Sequence, residues 1–363
     1  MCMFTITAGI AAGVYLLYRI QTLEKQNRDT NSLRRLSIII PARNEEQNIG
    51  RLLHSLKGQY PAEILVVDDG SEDKTAEIAA ACGAEVMHAE EPPEGWLGKS
   101  WACFSGAKKA KGEWLMFLDA DTFFEEFGAE KTAAAFLDQG ASGILSIHPY
   151  HSIQKPYESL SAFFHLAAFS AMGAFRFLQR KGVSYGAFGQ CMICTKQDYF
   201  NWGGHGLIKD KVAENMELAV LVSRTGAPVR CMSGKGALSM RMYPEGPASL
   251  VAGFSKTFAS GAKATNWKVL LPFVLWIAGC LSFLTEFRLG EWREVYALLY
   301  AAAVLHIWMT VRKIGSFGII TALFFPFHAG FFMLVFITSF WRTFISKSAS
   351  WKGRKIIVKE DAK

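Results

Sequence analysis

Trp114-Leu115-Met116-Phe117-Leu118-Asp119-Ala120-Asp121-Thr122 is the stretch whose reading decides the fold. Five apolar residues, too few for a helix of ordinary length, end abruptly in two carboxylates separated by one alanine. A short apolar run bounded by polar residues reads as a strand buried on both faces. Ligands of open α/β sheets gather at the carboxyl ends of such strands, which is where Asp119 and Asp121 fall. Oxygen ligands beside open positions suit Mg²⁺ or Mn²⁺ carrying a phosphate, because hard cations prefer oxygen and keep room for substrate phosphates. The competing reading is a solvated turn in which Asp121 caps the next helix. Asp-x-Asp alone does not choose between them.

Around this stretch, residues 36–149 alternate short apolar runs with helical segments. Strands are expected at Leu36–Pro41, Glu63–Val67, Ala84–His88, Trp114–Leu118 and Gly143–His148, with helices beginning near Glu45, Asp73, Lys99 and Gly128. Strands separated by helices of this length imply a mostly parallel, Rossmann-like α/β sheet with right-handed crossovers. Asn44 and Gln47 have capping-box spacing, which would make Glu45 only a first-turn acid complementing the helix dipole.

Composition points to a membrane. Of 363 residues 51% are hydrophobic, concentrated at the start and after residue 268, and the net charge is +7. No basic stripe with interleaved aromatics appears, so nucleic acid is not the expected partner. The basic residues flank the apolar runs instead, as an anionic bilayer surface would favour. Seven scattered cysteines argue against a disulfide framework and for a reducing compartment. Cys191 and Cys194 form a lone C-x-x-C in an apolar, strand-like run, poorly suited to zinc or redox work.

Met3 to Tyr18 is apolar, and Arg19, Lys25, Arg28, Arg34 and Arg35 follow it. That order is the reverse of a secretory signal. Residues 1–20 are therefore expected to anchor the chain, with the basic flank and the domain at 36–265 in the cytoplasm. Within that domain, 157–179 places Glu158, Ser161, His165, Arg176 and Gln179 on one narrow helical face, which predicts a helix lying in the interface. Transmembrane helices are expected at about 269–287, 295–311 and 317–341, before a basic tail at 346–363. Pro326, His328 and Gly330 suggest a broken or re-entrant last span. Topology leaves a conflict, because three spans put the tail outside while Arg342, Lys347, Lys352, Arg354, Lys355 and Lys359 argue for inside. Either the last run is a hairpin or the charge rule is broken.

Four stretches converge on one chemistry. Pro41-Ala42-Arg43-Asn44-Glu45 follows the first strand, and Val66-Val67-Asp68-Asp69-Gly70-Ser71 ends the second. Asp119-Ala120-Asp121 is the third, and Val212-Ala213-Glu214-Asn215-Met216-Glu217-Leu218 the fourth. A carboxylate at a strand end can accept from a uracil N–H or a ribose hydroxyl, and a helix start there welcomes phosphate.

In combination and order these motifs, over about 36–264, resemble the family 2 inverting glycosyltransferases with a GT-A fold. That resemblance implies that Pro41, Glu45, Asp68 and Asp69 contact the uridine of a UDP-sugar. Asp119 and Asp121 would hold the donor diphosphate with Mg²⁺ or Mn²⁺. The acidic segment Glu214, Asn215 and Glu217 would stand where the catalytic base is expected. Finer likenesses, at Glu94–Lys99, Gly203-Gly204-His205, Arg241–Gly246 and Phe254–Ala262, are to the carotenoid glycosyltransferases. They imply UDP-glucose as donor, a bilayer-dissolved carotenoid acceptor, and Lys99 and Lys256 as further diphosphate contacts, against the alternative that these are exposed lysines. His205 would border the acceptor, or serve as a hydrogen-bonded loop histidine.

Two departures from the family pattern matter. The Gln-x-x-Arg-Trp of processive synthases is replaced by Phe254-Ser255-Lys256-Thr257-Phe258, which disfavours a polymer product. Asn215 is an amide where a base carboxylate is expected, and an amide takes up no proton. Glu214 or Glu217 serves as base, or the chain is inactive, or the acceptor needs no base. A carboxylic acid with a pKa of about 4–5 is already ionised at neutral pH, whereas an alcohol is not. A carotenoid carboxylate would thus attack directly and give a glucosyl ester. Competing readings are another lipid acceptor (a glycerolipid, a hopanoid or a carotenoid alcohol), or a non-catalytic scaffold among pigment-pathway enzymes.

Overall fold

The computed structural model describes residues 2–179, 183–211, 214–285, 292–341, 350–351 and 354–355, without the side chains of 2, 214–215, 256–264 and the two short tail pairs. In chain order the strands are β1 (Leu36–Ala42), β2 (Glu63–Asp68), β3 (Glu85–His88), β4 (Trp114–Leu118) and β5 (Thr122–Phe124). They continue as β6 (Ile144–His148), β7 (Tyr150–His151), β8 (Cys191–Thr195), β9 (Val229–Ser233) and β10 (Leu238–Met240). Helices of the first half are α1 (Cys2–Leu16), α2 (Thr30–Leu33), α3 (Ile49–Ser55), α4 (Thr75–Ala81), α5 (Gly98–Lys109), α6 (Gly128–Asp138) and α7 (Ala162–Met172). After them come α8 (Lys196–Asn201), α9 (Glu214–Arg224), α10 (Pro247–Ala264), α11 (Trp267–Thr285), α12 (Arg293–Val311), α13 (Ile319–Leu323) and α14 (Phe325–Phe340).

Every residue of β4 is buried, as its unbroken apolar run requires. It lies in a seven-stranded sheet of order β3-β2-β1-β4-β8-β6-β9. Strands β1 to β4 are mutually parallel, joined through α3, α4 and α5. Strand order reverses between β1 and β4, and the carboxyl ends diverging there leave a crevice. One strand breaks the parallel pattern: β8 runs antiparallel between β4 and β6. Cys191 and Cys194, three apart on that strand, pack into the cores on opposite faces of the sheet. They cannot share a ligand. A second sheet, β5-β10-β7, continues from Asp121 and leans against the first.

The stretch 157–179 is not a single helix. A 3-10 turn over Pro156–Ser161 leads into α7, and Gly173 ends α7 in the left-handed conformation (φ 64°). The polar face expected toward lipid headgroups is instead inside the protein, with Glu158 and Ser161 fully buried and His165 3% exposed. A hydrophobic stripe cannot tell a membrane surface from a second layer of protein. Here that second layer is α11 and α14.

Two helices, α11 and α12, are long and apolar enough to cross a membrane; α1 and α14 are shorter apolar helices. Helix α1 lies directly on α11, where a Cβ on Gly9 would stand 2.7 Å from Gly279 Cα. As α1 advances from Gly9 to Gly13, its partner steps back from Gly279 to Trp276, so the two run antiparallel. After α12 the chain returns to the sheet domain, where His151 N–H donates to Ile314 O (3.0 Å) and Ser316 N–H to His151 O (2.9 Å). The last apolar run then breaks at Phe324, between α13 and α14. Phe325 packs on Phe283, near the far end of α11, with ring centroids 5.4 Å apart. Phe332, two turns on, meets Phe164 of α7 (5.1 Å) and Phe273 near the start of α11 (5.9 Å). Helix α14 therefore heads back toward the sheet domain. Together α13 and α14 follow a hairpin-like path.

Replacing Gly9 by Val should separate α1 from α11 and cost about 1–3 kcal/mol, as overpacking does. Thermal unfolding of the detergent-solubilised chain reads this, with an alanine at the exposed Val14 as control. An unchanged melting temperature for Gly9→Val would show that the contact is not a packing constraint.

Candidate active site

Strand β1 delivers Pro41 beside Val67 and Ala42 beside Asp68, so the first two motifs leave the sheet together. Asn44 turns the chain with φ 53°, a conformation that asparagine tolerates better than most residues. Its N–H donates to Ser71 Oγ (3.0 Å), and its Oδ1 accepts from Glu72 N–H (2.9 Å). Glu45 N–H donates to Thr75 Oγ1 at 2.7 Å. The Asn44–Gln47 capping box does not form, because α3 starts only at Ile49 with Asn48 before it. Asn48 instead donates to Glu45 Oε2 (2.8 Å). Glu45 is thus a loop residue at the crevice, not a first-turn acid.

Asp68 is buried, accepts from Ser71 N–H at 3.2 Å and meets His88 Nδ1 at 3.2 Å. It holds the turn that Gly70 (φ 68°) makes possible. Asp69 Oδ2 lies 3.6 Å from Arg43 Nη1 and faces the start of α5, where Gly98 leaves the only room for it: a Cβ there would collide with the carboxylate. One residue on, Lys99 Nζ pairs with Asp119 Oδ1 at 2.9 Å, both about a quarter exposed (29% and 26%). The Glu94–Lys99 loop thereby ties the end of β2 to the end of β4. Leu97 N–H also donates to Lys209 O (2.8 Å), drawing in the loop that precedes α9.

Asp119 is fixed through its backbone, N–H to Gln190 O (2.9 Å) and O from Thr122 Oγ1 (2.8 Å). Asp121 caps nothing, since α6 begins at Gly128 with Phe127 as its cap residue. That excludes the solvated-cap reading. The surrounding protein pushes the Asp121 carboxyl up to about 7, reinforced by Asp119 and Glu45 and opposed by Lys99. Asp121 is reachable by solvent, so water offsets part of the crowding, and the neighbouring carboxylates sustain the direction. Beside it, burial and then the Asp121 charge raise the Tyr243 phenol to about 12. Tyr243 sits in a strained left-handed turn (φ 55°) held by Tyr157, whose hydroxyl donates to its carbonyl at 2.8 Å. Arg241 secures the same loop through Nη2 to the fully buried Glu158 Oε1 (2.7 Å). Sequence reasoning noted the Arg241–Gly246 motif but not its partner at Glu158 or Tyr243's place beside Asp121.

Of the expected catalytic segment, Glu217 lies half-buried in the first turn of α9, which packs on the Gly204–Ile208 turn. The side chains of Glu214, Asn215 and Lys256 lie outside the described residues. His205 is fully buried, its Nδ1 2.7 Å from the Tyr199 hydroxyl, which makes it the hydrogen-bonded loop histidine rather than an acceptor contact.

Asp119 and Asp121 suit a divalent cation. They are oxygen donors whose negative charge, with Glu45 nearby, Lys99 offsets only in part, and among the described residues no third His, Cys, Asp or Glu completes a metal-ligand cluster with them. Such a half-built shell matches Mg²⁺ or Mn²⁺, whose remaining positions go to phosphate oxygens and water. An acidic pair at the switch point of a parallel sheet, with a lysine and a helix start beside it, defines a nucleotide-using α/β enzyme.

The comparisons agree. The profile described as "Glycosyl transferase family 2" matches residues 37–199. A 4,4′-diaponeurosporenoate glycosyltransferase from Staphylococcus aureus (strain USA300) is 33% identical, over 98% of this chain and 97% of its own length. The counterpart from strain MRSA252 is equally similar. Among solved structures, the mannosyltransferase PcManGT from Pyrobaculum calidifontis, in complex with GDP-Man and Mn²⁺, shares the fold with a TM-score of 0.54 at 14% identity, covering 94% of this chain and 98% of that one. The chain belongs to glycosyltransferase family 2, and it is a UDP-sugar-dependent glycosyltransferase.

The raised Asp121 has a consequence for stability. Between the ordinary carboxylate value of 3.8 and about 7, the folded chain keeps a proton that the unfolded chain has released. Metal-free stability should therefore fall as pH rises through that window, and the full penalty should persist above it. Asp121→Asn removes the penalty. In EDTA the variant should melt above wild type at pH 8 and level with it at pH 4, and Mn²⁺ should stabilise wild type alone. Coincident melting curves at pH 8 would refute the strained carboxyl.

Proposed function

We propose that this enzyme moves glucose, with inversion, from UDP-glucose to a carotenoid carboxylate dissolved in the bilayer, forming a glucosyl ester. One observation carries the reading. Asp69, Lys99, Asp119 and Asp121 meet at the β1/β4 crevice of a chain that resembles 4,4′-diaponeurosporenoate glycosyltransferase over 98% of its length. The sheet domain is of the GT-A type, and it faces the cytoplasm, where the basic residues after α1 belong. The protein is multi-pass, and α14 runs back toward the domain's side.

In the reaction an acceptor carboxylate oxygen bonds to the anomeric carbon as the bond from that carbon to the diphosphate breaks. Bonding electrons leave with the diphosphate. Glu45, Asp68 and Asp69, with Pro41, shape the nucleoside pocket, and Asp69 places the start of α5 toward the phosphates. Lys99, released from Asp119, and Lys256 supply positive charge to the departing group. A divalent cation on Asp119 and Asp121 would supply Lewis-acid stabilisation there. Asn215 need not remove a proton, because a carboxylic acceptor arrives ionised. Arg241 and Tyr243 wall the crevice between the acidic pair and the membrane helices.

Membranes given UDP-glucose and a carotenoid acid should yield an alkali-labile glucoside, abolished by EDTA and restored by Mn²⁺ or Mg²⁺. Asp119→Asn or Asp121→Asn should lower turnover about 10²-fold or more, the usual size for losing a group that stabilises leaving-group charge. Asn215→Asp should leave ester formation largely intact. Equal rates on carotenoid alcohols and acids would overturn the ester assignment, and no turnover with any lipid would overturn the catalytic one.

A further inference from the structure

A second site lies away from the crevice. Where α1 ends, a cavity of about 540 Å³ opens between the segment after α1, the segment after α7 and the edge strand β9. In the order β4-β8-β6-β9 that edge is three strands from the acidic pair, about 14 Å at ordinary strand spacing. Its walls are built in. Ser233 N–H donates to Gln21 O (2.8 Å) and Leu23 N–H to Ser233 O (3.2 Å), so the chain leaving α1 closes the β9 edge. On the other side Arg19 N–H donates to Phe175 O (3.2 Å) and Phe177 N–H to Tyr15 O (2.8 Å).

The lining is cationic: Arg19, Lys25, Arg176 and Arg230. Arg230 is half-buried, and its Nη2 and Nε reach only the neutral Gln21 Oε1, at 2.7 and 3.0 Å. Arg176 gives its hydrogen bonds to neutral acceptors: Gly173 O (2.9 Å), Gln179 Oε1 (2.6 Å), and the hydroxyls of Tyr185 (2.8 Å) and Tyr15 (3.4 Å). The nearby acids are engaged elsewhere, Glu24 with Lys235 (3.1 Å) and Asp138 with Gln26 (2.5 Å). Among the described residues, none of the four cations has a carboxylate within ion-pair distance. Burying the Arg230 guanidinium is costly: burial pulls it below its ordinary value, and the Asp138 charge, outside ion-pair distance, offsets that only in part. An anion in the cavity would remove that cost.

The rim identifies which anion. Tyr18 (55% exposed), Leu178 (86%) and Val183 (47%) present apolar surface beside the charges, at the domain end of a helix packed along a candidate membrane span. A free anion has no use for such a rim. A phospholipid has, because its headgroup carries the charge and its acyl chains need apolar cover. We infer that this cavity holds the phosphate-bearing headgroup of an anionic phospholipid, with Arg176 and Arg230 on the phosphate and Tyr18 and Leu178 against the chains.

The test uses the full-length protein, purified and delipidated in a neutral detergent. Phosphatidylglycerol should raise its melting temperature by several degrees and persist as a one-to-one adduct in native mass spectrometry. Phosphatidylcholine and inorganic phosphate should do neither. Arg230→Gln should weaken phosphatidylglycerol binding at least tenfold while UDP binding stays unchanged, which separates this site from the catalytic one. Should that variant fail to fold, Arg19→Gln with Lys25→Gln, at exposed positions, should weaken it several-fold. The inference fails if phosphatidylglycerol gives no shift, if phosphate alone reproduces it, if phosphatidylcholine matches it, or if folded variants bind as wild type does.

Discussion

Strand β1 hydrogen-bonds to β4 on one side and β2 on the other, and from that pairing the crevice follows. The chain leaves β1 and β4 toward opposite flanks of the sheet, so no connection crosses the gap at their carboxyl ends. Backbone bonds within the loops then bring the side chains in. The β1 and β2 loops are laced through Asn44, Ser71 and Thr75, and the loop before α5 reaches from Asp69 to Asp119 through Lys99. Each acid is held by an element whose position the sheet sets. Asp121 is the exception in energy rather than in place, because its charge is opposed by its own neighbours. A carboxylate kept in such company is more useful to a bound cation than to the fold.

The same sheet is the platform on which the candidate membrane helices stand. Glu158, fully buried, would be an expensive charge were it alone. Two Arg241 nitrogens and the backbone N–H groups of Gln154 and Lys155 satisfy it, and together they hold its carboxyl below the usual range despite burial. This knot fixes the loop that carries Tyr243 into the crevice, and Phe254 of α10 packs between Tyr243 and Phe164 of α7. Apolar packing against α11 and α14 begins one layer further out. Crevice and candidate membrane helices are therefore parts of one packed body, separated by little more than the Arg241–Gly246 loop and α7.

Much of this was legible in the sequence because it depends on local pattern. The five apolar residues before Asp119 read as a doubly buried strand, and all five expected strands begin within a residue of where alternation with helices places them. What was not legible depends on pairing. Nothing in Cys191–Thr195 says that it inserts antiparallel between β4 and β6, since a buried strand looks alike in either direction. The Arg241–Glu158 bond joins residues 83 apart. The polar face of 157–179 was seen correctly as a face and misjudged in what it meets, because periodicity reports that one side differs and not what covers it. The last apolar run was long enough to span a bilayer, and only the contacts of Phe325 and Phe332 reveal that it doubles back. Glu45 was assigned to a helix that starts four residues later, where caps are least predictable.

On the proposed reading, charge also explains Asn215. The crevice carries Asp119, Asp121 and Glu45 against Lys99, and a nucleoside diphosphate adds negative charge that one divalent cation only just offsets. An alcohol acceptor enters such a site neutral and needs a base to become a nucleophile. A carboxylate acceptor enters already charged, so it needs no base and is repelled by every acid it passes. A proton-accepting carboxylate at position 215 is then dispensable, because the acceptor brings no proton to remove. An amide keeps the hydrogen-bonding capacity of the position and removes its charge. What looks like a lost catalytic residue is, for an acid acceptor, a position where no base is called for.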